Sequence, residues 1–456
     1  MKPIEKPRYF KNHDRLCDHG NTALRKLAVD ILDHGIRAAD PYLAAKRLVS
    51  LDGDRLQVGE LHFNLQDFER VFVFGAGKAT HPIAIALEEI LGERISGGLV
   101  VLKRGDTADL KHIQVIYGAH PVPDEEGHRG AKLMYKLAGE CTQKDLVLVA
   151  MTGGSSALLP LPVEGVSLED KKQVNQTLLF SGADITHINA VRKHISRLKG
   201  GWLAQRILPA TLINLTVSDV NGDPLDYITG PTVPDTATFD DARRAMDTFE
   251  LWDKFPHSAA DYLRRGGSEQ ETPKSFEGQP LHTFILVESA AACEGAAARA
   301  KELELETMLL TSTMQGEASQ AGAFLSSIGQ EIAAFNRPLS APCAVIAGGE
   351  NTVTIQDEHG AGGANQEFAL GAGLKIAGLE NVLIASIDTD GTDGPTELAG
   401  AMVDGHTVRL AAETGLDLTQ ALNTHDALPA LESLGDGILT GPTGTNVNDI
   451  KLLLVM

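Results

Sequence analysis

Residues Val71–Leu91 read VFVFGAGKATHPIAIALEEIL. Four apolar residues, Val71 to Phe74, stop at Gly75, and helical apolar spacing resumes at about Pro82. Strand, glycine turn and helix in that order open a βαβ unit. Similar runs follow at Gly98–Leu102 (GLVVL), Gln114–Tyr117 (QVIY), Leu146–Ala150 (LVLVA) and Thr211–Val217 (TLINLTV). Apolar runs without polar alternation predict strands buried on both faces, hence a parallel sheet covered by helices. Ligands of such sheets bind at the carboxyl ends of the strands. Three of these ends carry glycine- or aspartate-rich loops, at Gly75–Ala79, Thr152–Ser156 and Ser218–Asp226, so one cleft can collect all three.

Upstream, Leu24, Leu27, Ala28, Ile31, Leu32 and Ile36 give an amphipathic helix that ends near Asp40-Pro41, with a second helix over Tyr42–Val49. Residues 266–280 are polar, rich in Gly and Pro and without periodicity, and divide the chain into domains at 1–270 and 281–456. Beyond them, strands are predicted at His282–Val287, Met308–Thr311, Cys343–Ala347, Val353–Ile355 and Val382–Ile387. Helices are predicted over Ser289–Lys301 and from Gln315 to about Phe335, so the second domain is also α/β.

A chain of 456 residues with 43% hydrophobic and 22% charged side chains has the composition of a folded protein of two or three domains. Its net charge of −21 repels phosphate backbones and anionic lipid, which argues against nucleic-acid and membrane partners but not against a small anion in a local basic pocket. Four scattered cysteines without a CxxC pair argue for a reducing compartment and against a zinc site or disulfide framework. The polar start and the lack of any long apolar run make a cytoplasmic protein the expectation.

Gly75-Ala76-Gly77-Lys78 lies where backbone N–H groups and a helix N-terminus attract anions. It is no Walker A loop, with Phe72 and Ala79 at key positions, and Thr80 spoils a GxGxxG fingerprint. A lysine fixed there can neutralise a carboxylate or a moving phosphoryl group; the turn alone equally suits a solvated lysine. In Gly153-Gly154-Ser155-Ser156 the two hydroxyls suit a carboxylate or phosphate, or the capping of a helix. The basic run Asn189–Lys199 offers Arg192 or Lys193 to a triphosphate, or a solvated helix face. Asp219, Asp223 and Asp226 follow a strand as candidates for Mg²⁺ binding or for a base, or as turn-forming aspartates. The loop Asp388–Thr396 resembles an EF-hand start, but Ala399 stands where the bidentate glutamate belongs, so calcium is not expected.

In order, GAGKA at 75–79, GGSSALL at 153–159, NAVRKHIS at 189–196, SDVNGDPLDYITGPTVPD at 218–235, GE at 316–317, GGENTV at 348–353, GGANQE at 362–367, DTDGTDGPT at 388–396 and GPTGTNVND at 441–449 resemble the class II glycerate kinases, the family with a MOFRL C-terminal domain. The resemblance spans nearly the whole chain. It implies ATP-dependent phosphorylation of D-glycerate at the 2-hydroxyl, giving 2-phosphoglycerate and ADP, with Mg²⁺. It also implies a Rossmann-like N-terminal domain and a MOFRL-type C-terminal domain, each a largely parallel sheet flanked by helices, with the active site in the cleft between them.

By position, Lys78 matches the family's active-site lysine, Asp219 its acidic strand end and Asp390 its acidic C-terminal loop. Around these, Ser155, Ser156, Arg192, Asn365 and Asp390 are expected to bind substrate. Gly75, Gly77, Gly153, Gly154, Lys193 and Glu350 are expected to bind ATP, and Asp223 and Asp390 Mg²⁺. One residue departs from the family: Ala364 stands where the motif GGRNQE has arginine. A guanidinium there would hold carboxylate or phosphate bidentately, and losing such a charge costs phosphoryl transfer ~10³ or more in rate. The competing readings are an NAD(P)H-dependent hydroxypyruvate reductase, a label that homologues have carried, and an ATP-binding homologue weakened by that loss. A homodimer is compatible with all of them.

Overall fold

A computed structural model describes residues 4–105, 109–220, 222, 224–228, 230–355 and 358–456. Two compact units emerge. The first comprises the described residues of Pro41–Ser218 and Asp223–Leu286. After the helix Pro41–Leu48 come strands β1 (Val49–Asp52), β2 (Arg55–Val58) and β3 (Leu61–Asn64), an antiparallel meander absent from the sequence reading. Each strand has four residues, too few for a period of two to stand out from the helix before them.

The main sheet of this unit contains β4 (Arg70–Ala76), β5 (Gly97–Lys103), β6 (Gln114–Gly118), β7 (Asp145–Met151), β8 (Thr211–Val217) and β9 (Leu281–Val287). The spatial order is β6-β5-β4-β7-β8-β9, and the pairs β5/β6, β4/β5, β4/β7 and β7/β8 are parallel. Every residue of β7 is buried, as an unalternating apolar run requires of a central strand. Phe74, Leu99, Val147, Val149 and Leu212 belong to one core beneath the covering helices. Chain order runs β4, β5, β6 to one side and β7, β8 to the other, so the sheet reverses between β4 and β7.

The second unit comprises the described residues of Met1–Asp40, Asp219–Gly222 and Val287–Met456. Its sheet has the order β10-β11-β15-β12-β13-β14, where β10 is Glu306–Met314, β11 Cys343–Gly349, β12 Val382–Asp388, β13 Gly400–Asp404, β14 Gly437–Ile438 and β15 Asp449–Val455. β10 and β11 are parallel, but β15 runs antiparallel between β11 and β12, and β12/β13 and β13/β14 are also antiparallel. This sheet is therefore mixed, where a largely parallel one was expected. An apolar run such as DIKLLLV reveals burial but not direction. Val353–Ile355, expected as a strand, forms none: the backbone pairs only at Thr352, by a bridge to Glu317.

The sequence division at 270 placed the first forty residues with the N-terminal half; the structure groups them with the C-terminal one. Helix Thr22–Ala38 lies close against helix Ala291–Glu302: a Cβ at Gly295 would overlap that of Ala38, and one at Gly35 would lie 2.8 Å from the carbonyl oxygen of Ala292. Arg25, wholly buried, donates from Nε to Asp404 Oδ2 and from Nη1 to Asp436 Oδ1, each at 2.7 Å. Arg25→Met would leave two buried carboxylates without their cation. Breaking such a network costs about 3–5 kcal/mol, a loss that urea unfolding of the variant should register.

Candidate active site

The loops after β4 and β7 lock together at the reversal point of the first sheet. Lys78 N donates to Gly153 O at 2.8 Å, Thr152 N to Ala76 O at 3.1 Å, and Ala79 N to Thr152 Oγ1 at 3.1 Å. Gly77, at φ 135°, makes this approach feasible: a Cβ there would run into Thr152 Oγ1 and lie 2.6 Å from the Thr152 carbonyl oxygen. Gly77→Ala is expected to cost about 1–3 kcal/mol of stability from backbone strain alone, with activity falling alongside, as measured by urea unfolding and turnover of one preparation.

Gly154, at φ 86°, presses on the lysine from the other side. A Cβ there would lie 3.2 Å from both Lys78 Cγ and His120 Nε2. His120 follows β6 by two residues, and sequence reasoning missed it although its strand was read correctly; position past a strand end was the available signal. Ser155 is buried and opens the short helix Ser155–Leu158, its N–H donating to Thr152 O at 3.2 Å. Ser156 Oγ accepts from Arg192 Nη2.

Arg192 and Lys193 lie in the last turn of helix Ile185–His194, whose start is fixed by Asp184 accepting from Thr186 N and His187 N. Burial pushes the Arg192 guanidinium below its usual range. Lys193, expected at the nucleotide, is instead buried and committed to carboxylates: Nζ donates to Asp235 Oδ1 at 2.9 Å and also to Asp226 Oδ1.

In the second unit, the registers Gly349↔Asp449 and Asp388↔Asp449 align the carboxyl ends of β11 and β12 with the start of β15. A cavity of about 320 Å³ opens there, with Glu350, Glu367, Asp388, Asp393 and Asp449 among its lining residues. Helix Ala364–Ile376 begins at its wall, so Ala364 and Asn365 also line it. The helix N-terminus already holds an anion, because Asp393 accepts from Asn365 N at 3.0 Å and from Gln366 N at 2.9 Å. Burial, aided by Asp449, nevertheless pushes the Asp393 carboxyl up to about 6.

Asn365 Nδ2 donates to Asp449 Oδ1 at 3.0 Å, and Lys451 Nζ to Asp449 Oδ2 at 2.6 Å. His425 Nδ1 lies 2.8 Å from Glu367 Oε1, a carboxyl that burial pushes upward. Asp390 Oδ1 turns back onto its own loop, accepting from Thr392 N at 2.9 Å and Thr392 Oγ1 at 2.8 Å, so the acids of this loop that line the cavity are Asp388 and Asp393. Asp219 Oδ2 accepts from Asn446 Nδ2 at 3.0 Å, which joins two motifs more than two hundred residues apart in sequence. Asp223 lies outside the described residues. Among the described residues, no three His, Cys, Asp or Glu side chains group as a ready-made metal site.

A doubly wound, largely parallel sheet with a lysine in one switch-point loop and an arginine bound to a hydroxyl of the next defines an α/β protein whose cations gather at the strand ends, where such sheets bind ligands. Comparison with known proteins narrows the class. A family described as a domain of unknown function (DUF4147) matches residues 27–264, and the MOFRL family matches residues 343–449. A glycerate 2-kinase of Pyrococcus horikoshii is 43% identical over 436 residues, covering 95% of this chain and 97% of that protein. The crystal structure of a Thermotoga maritima glycerate kinase matches with a TM-score of 0.82 at 36% identity, over 95% of this chain and 100% of that one. An Agrobacterium vitis protein carrying hydroxypyruvate reductase as a provisional name is 36% identical over 388 residues, 85% of this chain and 99% of that protein. The chain belongs to the glycerate 2-kinase family and itself carries both modules.

Proposed function

We propose that this chain transfers the γ-phosphoryl group of ATP to the 2-hydroxyl of D-glycerate, giving 2-phosphoglycerate and ADP. The observation that carries the reading is the placement of Lys78, pinned by its own backbone to Gly153 at the switch point of a sheet that belongs to this family. Phosphoryl transfer asks a protein mainly for positioning and for charge around the moving group. Lys78 supplies an ammonium to the transferring phosphoryl group or to the substrate carboxylate. Ser155 and Ser156 bind substrate oxygens, and Arg192 orients Ser156 and adds positive charge.

The O–P bond to the 2-hydroxyl forms as the bond to the ADP oxygen breaks, and Asp219 takes the hydroxyl proton. Glu350 and Asp388, two of the acids lining the second unit's cavity, would hold Mg²⁺, which needs one or two carboxylates and takes its remaining ligands from phosphate and water. When bound, it would neutralise charge on the β- and γ-phosphates. The reading carries a cytoplasmic location; no helix of the described residues is long and apolar enough to cross a membrane.

The reductase reading is disfavoured by Thr80. Its side chain occupies the third position of the would-be fingerprint, donates to Ala150 O at 3.0 Å and fills the space beside Gly75. The test is ADP release in a coupled assay with ATP and Mg²⁺. Release dependent on D-glycerate supports the kinase, whereas oxidation of NADH by hydroxypyruvate without it would reverse the choice.

A further inference from the structure

Helix Ile185–His194 and its surroundings divide their cations into two sets. Lys193 is bound by Asp226 and Asp235, and His194 Nε2 lies 2.7 Å from Glu271 Oε1. Among the described residues, Lys171, Arg192 and Lys199 have no such carboxylate partner. Lys171 is wholly buried in helix Leu168–Leu179, and its Nζ has no hydrogen-bond partner among the described residues. Arg192 Nε and Asn175 Oδ1, the latter one turn after Lys171, are likewise buried and unsatisfied there. The acids beside Lys171 in sequence face elsewhere: Glu169 pairs with Lys172, and Asp170 caps its helix and accepts from Ser258.

We propose that Lys171, Arg192 and Lys199 form an anion subsite beside Ser156, built for an oxyanion of the substrates: the carboxylate of the hydroxy acid or a phosphate of the nucleotide. The inference rests on the kinase reading for the identity of those substrates. Buried charges in folded proteins are paired, and in a chain of net charge −21 three cations with no carboxylate partner among the described residues point to a counter-ion that arrives with the ligand. Arg192 and Lys199 are half-buried and offer the approach, while Lys171 is wholly buried. Arg192 also reaches Ser156 in the switch-point loop, which ties the cluster to the carboxyl end of β7.

Burial and neighbouring positive charge both act on the two lysines. Burial, with Arg192 alongside, pushes the Lys171 amine down to about 7. Burial together with Arg192, Lys171 and Lys193 holds Lys199 well below the usual lysine range. Lys171 is a positioning residue that strengthens the field at Arg192, whereas Arg192 and Lys199 contact the anion.

The test is calorimetric titration of the full chain, and of Lys171→Met and Lys199→Gln, with D-glycerate, ADP and inorganic phosphate in separate runs. Melting curves verify that the variants fold. Each variant is expected to lose about tenfold or more in affinity for inorganic phosphate, as truncation at a buried charge cluster does. Loss for D-glycerate with ADP retained identifies the carboxylate as occupant; loss for ADP with D-glycerate retained identifies the nucleotide. Unchanged affinity for all three in folded variants, or a parent chain that binds none of them, would overturn the subsite. Weakened phosphate binding in a chain without D-glycerate-dependent ADP release keeps the subsite and ends the kinase reading. Turnover with unchanged affinities does the reverse.

Discussion

Lys78→Ala is expected to lower kcat/KM for ATP-dependent turnover of D-glycerate by about 10²–10³-fold, the usual cost of removing one preorganised charge from an oxyanion site. The loop should survive the change. Its geometry comes from backbone contacts, Lys78 N to Gly153 O and Thr152 N to Ala76 O, and from Gly77, none of which uses the lysine side chain. The melting temperature should therefore remain near that of the parent, which separates lost chemistry from lost folding. Lys78→Arg should recover little, because a planar fork does not replace a compact ammonium on a side chain whose Cγ packs close to Gly154. Unchanged turnover in folded Lys78→Ala would remove this residue from the mechanism.

Ala364→Arg is expected to raise turnover by an amount of the same order or larger, about 10³-fold, because a guanidinium at a phosphoryl-transfer site is worth that much. Ala364 lines a cavity whose wall includes five carboxyl side chains, while the nearby Lys451 is committed to Asp449 and Gly349 O. A cavity of that balance disfavours anionic substrates. The helix that Ala364 opens is capped by Asp393 through Asn365 N and Gln366 N, so substitution at its first residue leaves the cap in place. Steady-state kinetics of the two chains decide the matter. A gain confined to KM would mean that the arginine binds substrate equally well before and at the transition state.

Much of the first sheet was legible in the sequence because its strands are buried on both faces. Runs such as LVLVA at 146–150 have no competing pattern, and the glycine loops that follow them sit at the switch point as the topology requires. The meander at 49–64 was hidden by strand length, and the second sheet's mixed character by the silence of apolar runs about direction. The close backbone packing at Gly77 and Gly154 was the most readable local feature, since small residues at a strand-end loop permit it. Charged residues were the least. Nothing in the spacing of Arg192 and Lys193 foretells that one is bound by two distant aspartates and the other by a serine hydroxyl. Lys171 escaped notice because a lysine in the charged run Glu169-Asp170-Lys171-Lys172 reads as solvated, whereas the fold buries it completely.

The claim at the centre of this account is transfer to one particular hydroxyl. Phosphorus NMR of the product formed from ATP, Mg²⁺ and D-glycerate, by this chain and by Ala364→Arg, tests it most directly. The account predicts the signal of 2-phosphoglycerate from both chains, accumulating faster with the arginine. A signal for phosphate on the 3-hydroxyl, or inorganic phosphate alone from both chains, would contradict it.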